Sequence, residues 1–210
     1  MREPPQATLS PRLTADELRH LCRRGWIRGA LGVLRVYASL VAVIGGALWL
    51  GGWWLAPAFV LVAALQHALS ILQHEAVHSL LFPRQKINDF VGTYLLSYPI
   101  GFSLDYRATH LNHHRYLGQE KDPDLPNYKN FPNTLRVFVR KLIIEFSGMG
   151  ALWQFFGKGG APSSGAGNHF IGIALTQTAI LVIFSLVGQP LMYIVLWLLP
   201  LATFAKGFTQ

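Results

Sequence analysis

Lysine and arginine are missing from two long stretches of this 210-residue chain, between Val36 and Pro83 and between Gly159 and Ala205. They crowd the segments on either side. Seven arginines (Arg2, Arg12, Arg19, Arg23, Arg24, Arg28 and Arg35) precede the first stretch, ten basic residues lie from Arg84 to Lys158, and Lys206 follows the second. Such segregation constrains the fold severely. A hydrocarbon core of about 30 Å takes about 20 helical residues, so uncharged runs of this length fit helices that cross a bilayer. A net charge of +8 would point to a nucleic-acid partner in a soluble chain. Here its distribution is a topology signal, and no nucleic-acid partner is expected.

From Val36 to Gln73 the only ionisable side chain other than tyrosine is His67. The run is too long for one span, and Gly51, Gly52 and Pro57 break it. It reads as two helices, roughly Val36 to Leu50 and Pro57 to Leu72, with Trp49, Trp53 and Trp54 crowding a turn at the membrane interface. The run from Phe170 to Ala205 repeats the plan around Gly188, Gln189 and Pro190. The expected fold is therefore an all-α integral membrane protein with four transmembrane helices in two hairpins. Residues 1–35 form a basic cytoplasmic arm, residues 36–210 the membrane domain, and residues 79–168 a cytoplasmic segment between the hairpins. Both turns, which carry no lysine or arginine, face away from the cytoplasm. Residues 1–32 are polar and basic without a cleavable apolar leader, so the first span is expected to act as the insertion signal. Cys22 is the single cysteine, which excludes an intramolecular disulfide. The stretch from Phe138 to Phe146 reads either as an interfacial amphipathic helix or as a solvated helix packed on protein.

Five of the eight histidines fall in two clusters, His74-Glu-Ala-Val-His78 and His110-Leu-Asn-His113-His114. Residues four apart on a helix share a face, so His74 and His78 can reach one metal, and His110 can pair with His113 and His114. Neutral imidazole is a ligand for iron, copper, nickel and zinc. Five clustered imidazoles overfill one tetrahedral zinc site and fit two metals better. The first cluster also satisfies the HExxH pattern of zinc metalloproteases, in which Glu75 would activate water. That reading leaves the second cluster unexplained.

HxxxH at the end of the second apolar helix, then HxxHH followed by Arg115-Tyr116 and by Asp122-Pro123-Asp124, resembles the membrane fatty-acid desaturase superfamily from about Leu50 onward. The resemblance implies two iron ions ligated by His74, His78, His110, His113 and His114, with dioxygen as co-substrate. It implies oxidation of an apolar lipid, most readily fatty-acyl desaturation, with hydroxylation or carotenoid oxidation as variants. Electrons would come from a separate donor of ferredoxin or cytochrome type. Glu75 and Asp105 are expected to hold ligand rings through their second nitrogens, and His169 is a candidate additional ligand. Family members carry a third HxxHH-like box after the fourth span, where this sequence stops at Gln210. The expectation is a truncated chain with weak or no catalysis of its own. His67 is expected to be a hydrogen-bonded structural residue, His20 a surface residue, and Asp122 and Asp124 parts of a turn. The N-terminal arginines and Trp26 are expected to face lipid headgroups or solvent.

Overall fold

In a computed structural model, residues 14, 16–17, 25–102, 104–129, 134–149 and 166–205 are described, and every regular element among them is helical. His20, Cys22, Lys206 and most of the basic arm lie outside them.

Helix α1 (Trp26–Leu50) starts ten residues before the expected boundary and carries Arg28 and Arg35. Its 25 residues reach about 37 Å, about 7 Å longer than the bilayer core, so Arg28 fits the projecting first turns, while Arg35, two turns further in, needs its long side chain to reach back to the polar edge. The helix stops at Gly51, whose N–H donates to the Ala47 carbonyl at 2.8 Å with φ of 62°. Gly52 follows at φ of 56°, and two successive left-handed residues are available only to glycine at little cost. After a short turn (Gly52–Trp54), in which the exposed Trp53 and Trp54 rings stack at 4.4 Å, α2 (Leu55–Val77) runs back. It continues beyond the expected Leu72, so His74 sits on its last turn and His78 caps it.

α2 is the central helix. Val62, Ala63, Gln66, Leu69, Gln73, Ala76 and Val77 are buried along it, while Val60, Leu61 and Ile71 are exposed, as a lipid-facing side requires. Against it pack α1 and a segment that sequence reading did not resolve as a helix. That segment is α3 (Gln85–Phe90), which widens into a π-helical stretch (Val91–Ser97) and a tight turn (Tyr98–Ile100). The Ser97 hydroxyl donates to the Gly92 carbonyl at 2.7 Å, five residues back, which satisfies an acceptor inside the widened coil. Gly92 is where this segment touches α2. A Cβ there would lie 2.8 Å from both the Ala76 Cβ and the Leu104 Cδ1. Gly92→Ala is expected to cost about 1–3 kcal/mol through overpacking, read as a lower unfolding midpoint in detergent; an unchanged midpoint would show that the contact yields freely.

After α4 (Arg107–Tyr116), the short α5 (Leu125–Tyr128) and the amphipathic α6 (Leu135–Phe146), the chain enters α7 (Ala166–Leu186). The second turn falls where the sequence placed it, with Gly188 at φ of 75° and Pro190 opening α8 (Pro190–Tyr193). Gln177 ties the second hairpin to the rest: its amide donates to the Pro99 carbonyl at 2.9 Å and its oxygen accepts from the Tyr193 hydroxyl at 3.0 Å.

Three helices among the described residues are long and apolar enough to cross a membrane: Trp26–Leu50, Gly52–Val77 and His169–Leu186. The fourth expected span corresponds to a shorter apolar helix, Pro190–Thr203. Pro200 is fully buried in it and cannot donate a helical bond, and the coil widens on both sides, over Ile194–Leu198 and Leu201–Ala205.

Candidate metal centre

The last turn of α2 and one face of α4 bring four imidazoles together. His74 and His78 are four residues apart, as are His110 and His114, and each pair projects from one side of its helix. The His78 and His114 Nε2 atoms each lie 3.0 Å from the His110 Nε2, and the nearest donor atoms of all four histidines fall within 4.8 Å of one another. Two ligands at right angles on one metal, with bonds of about 2.1 Å, are about 3.0 Å apart. The His78–His110 and His110–His114 pairs therefore already sit at ligand spacing, and the four histidines together could hold a metal.

Protonation favours ligation too. Burial, then the neighbouring His74, His114, His78 and His113, push His110 down from 6.5 to about 4. Burial, His74 and His114 also lower His78, against an opposing pull from Glu75. Between the folded and unfolded pKa values of His110 the unfolded chain takes up a proton that the folded one refuses. The metal-free protein is thus expected to lose stability as pH falls from 6.5 towards about 4. His110→Gln should remove that part of the slope, and identical pH profiles for the two proteins would contradict the assignment.

His113 is turned elsewhere. Its Nδ1 is 2.8 Å from Oδ1 of Asp122 and 3.6 Å from Oδ2 of Asp124, and its ring centroid lies 6.2 Å from that of His110. Asp122 is buried at 3 % exposure and accepts from Gly118 N–H, Asp124 N–H and the Tyr128 hydroxyl as well. Burial works to raise its pKa, but these hydrogen bonds outweigh it and hold the carboxyl well below the usual carboxylate range. A carboxylate has no proton to give, so the His113 Nδ1–H donates to Asp122, and in the neutral ring this leaves the lone pair on Nε2. Asp122 and Asp124 do form the turn read from the sequence, and Asp122 is in addition the anchor of a histidine. The Asp-Pro-Asp pattern announces a turn by composition, whereas its contact with a ring nine residues earlier is tertiary.

His169, in the first turn of α7, is engaged at both nitrogens: Nε2 lies 3.0 Å from Asp105 Oδ1 and Nδ1 lies 3.0 Å from the Tyr98 hydroxyl. Neither residue belongs to the four-imidazole group. Glu75 is exposed and acts on His78 through its charge. His67 lies 3.4 Å from the Ser70 hydroxyl, within hydrogen-bonding reach inside α2. Sequence reasoning also missed Tyr106. It donates to the Gln73 oxygen at 3.1 Å, and its ring centroid lies 5.6 Å from that of His110.

The family model for fatty acid desaturases matches residues 51–208, which include all five clustered histidines. The chain belongs to the fatty acid desaturase family. Among curated relatives of this desaturase-family chain is a dihydrorhizobitoxine desaturase of Bradyrhizobium elkanii, 36% identical over 104 residues, which are 47% of this chain and 29% of that protein. A sphingolipid delta(4)-desaturase of Drosophila melanogaster is 31% identical over 106 residues, 48% of this chain and 32% of that protein. Its Mus musculus counterpart is 32% identical over 94 residues, 41% and 29% respectively. The matched stretch thus spans about a third or less of the length of these relatives. No solved structure matches. The zinc-protease reading of HExxH finds no support: the histidine pair belongs to a larger imidazole group within a desaturase-family match.

Proposed function

We propose that these residues form the metal-binding part of an oxygen-dependent di-iron lipid desaturase. The observation that carries the reading is the convergence of two separate histidine boxes on His110, with His78 and His114 nitrogens each at 3.0 Å. His74, His78, His110 and His114 are the ligands in this proposal, with His113 joining through Nε2 while Asp122 fixes its ring. When bound, the irons would supply activation of dioxygen, which with two electrons from a separate ferredoxin or cytochrome-type donor and two protons from solvent takes two hydrogens from the substrate, leaving an alkene and two waters.

The chain's part is to keep the imidazoles neutral and aimed at one place. Asp105 holds His169; Tyr106 packs against His110 while tied to Gln73 on α2, and Glu75 tunes His78. Desaturation is favoured over hydroxylation because the relatives named above are desaturases, in bacterium and animal alike. The proposed topology has four spans, the last being the shorter Pro190–Thr203 helix, with the N-terminus and histidines in the cytoplasm, where the basic segments would lie. The test is to produce the protein in full length in a host fed candidate lipids and to analyse them by mass spectrometry. A lipid that has lost one hydrogen pair, absent with the His74→Ala variant, is expected. Hydroxylated product or cleaved peptide in its place would overturn the assignment.

A further inference from the structure

Two helices that meet only through flexible side chains would not hold four imidazoles at ligand spacing. The spacing needs a brace between the end of α2 and the start of α4. The last four carbonyls of any helix lack intrahelical partners, and α2 ends in the middle of its histidine pair. His74 O accepts from His78 N–H at 3.2 Å, Glu75 O from Leu80 N–H at 2.9 Å, and Ala76 O from Ser79 N–H at 3.0 Å. The Val77 carbonyl is met by the Nε of Arg107 at 2.8 Å, and an adjacent guanidinium nitrogen donates to Ala76 O, also at 2.8 Å. Arg107 is the first residue of α4 and lies three and seven positions before His110 and His114, so all three share one helical face. The guanidinium and the imidazoles thus dock together on the end of α2.

A third element completes the brace. The same guanidinium nitrogen pairs with Asp89 on α3, which also accepts from Gln85. Asn88, fully buried, donates to Ala76 O at 2.8 Å. Cation and carbonyl suit one another here, since the C-terminal end of a helix carries partial negative charge. The planar fork meets the two carbonyls and the carboxylate from two separate nitrogens held in fixed geometry, whereas a lysine ammonium would have to serve all three from a single point.

We propose that Arg107, backed by Asp89, is the positioning residue that sets the separation of the two histidine pairs. This rests on the metal-centre reading above, and the experiment separates the two. In a Cys22→Ser background, spin labels at Leu80→Cys and Leu111→Cys, both exposed, report the distance between the α2 end and α4 without any metal. Anaerobic titration with ferrous iron reports binding. Arg107→Lys and Asp89→Asn are expected to remain folded by size-exclusion profile, to broaden the distance distribution, and to weaken iron binding by about 10- to 100-fold, the range for outer groups that orient ligands. In the Arg107→Ala protein, Asp89→Asn should add nothing further. Broadening in variants of a chain that takes up no iron would uphold the brace and sink the metal reading. Unchanged distances and unchanged iron affinity in Arg107→Lys and Asp89→Asn would overturn the proposal.

Discussion

Replacing His110 with alanine is expected to lower iron affinity, and with it any desaturation by the full-length protein, by more than about 100-fold. Groups that merely orient a ligand carry about 10- to 100-fold, and His110 is the imidazole on which the others converge. Its Nε2 lies 3.0 Å from those of both His78 and His114, and its ring packs edge-on against His74 at 4.5 Å. Removing it takes away one donor and the contact that keeps three others facing inward. His110→Gln keeps a polar side chain of similar reach yet offers an amide in place of the imidazole nitrogen, and is expected to fail nearly as badly. The measurement is iron content of the purified protein alongside a helicity spectrum. Full iron occupancy in His110→Ala would remove that residue from the centre.

Asp122→Ala should weaken iron binding by about 10- to 100-fold although Asp122 is not among the four clustered ligands. Its carboxylate fixes the ring of His113 at 2.8 Å and at the same time closes the 118–124 turn through Gly118 and Asp124. Without it, His113 is free to rotate and to exchange tautomers, so Nε2 is presented to a metal only part of the time. Asp122→Asn keeps the size and one acceptor, and should recover most of the turn but only part of the affinity. Tyr128→Phe removes a neighbouring hydrogen bond to the same carboxylate and leaves His113 tethered, so it serves as the comparison and is expected to stay near wild type. If Asp122→Ala and Tyr128→Phe behave alike, the carboxylate serves the loop alone.

What was legible in the sequence follows from periodicity and charge. The empty stretches in lysine and arginine predicted α1, α2 and α7, and Gly51 with Gly52 marked a turn that demands left-handed backbone twice. The four-residue spacings of His74 with His78 and His110 with His114 survive directly as facing pairs. Spacing alone did not separate His113 from His114, since three and four residues both lie on one helical side; Asp122, distant in sequence, separates them. The helix around Val91–Ser97 was hidden because its apolar residues do not repeat at a clean helical period in a widened coil. Arg107 read as one basic residue among ten, since nothing local announces that a guanidinium will cap another helix. Helix α1 extends past its apolar run because Arg35 ends the run but not the helix.

Iron K-edge X-ray absorption on the purified, iron-loaded protein tests the central claim most directly. A first shell dominated by imidazole nitrogen at about 2.1 Å, with more than one iron per chain and loss of the signal in His110→Ala, is the predicted result. Zinc alone at one per chain, or iron without imidazole scattering, would contradict it.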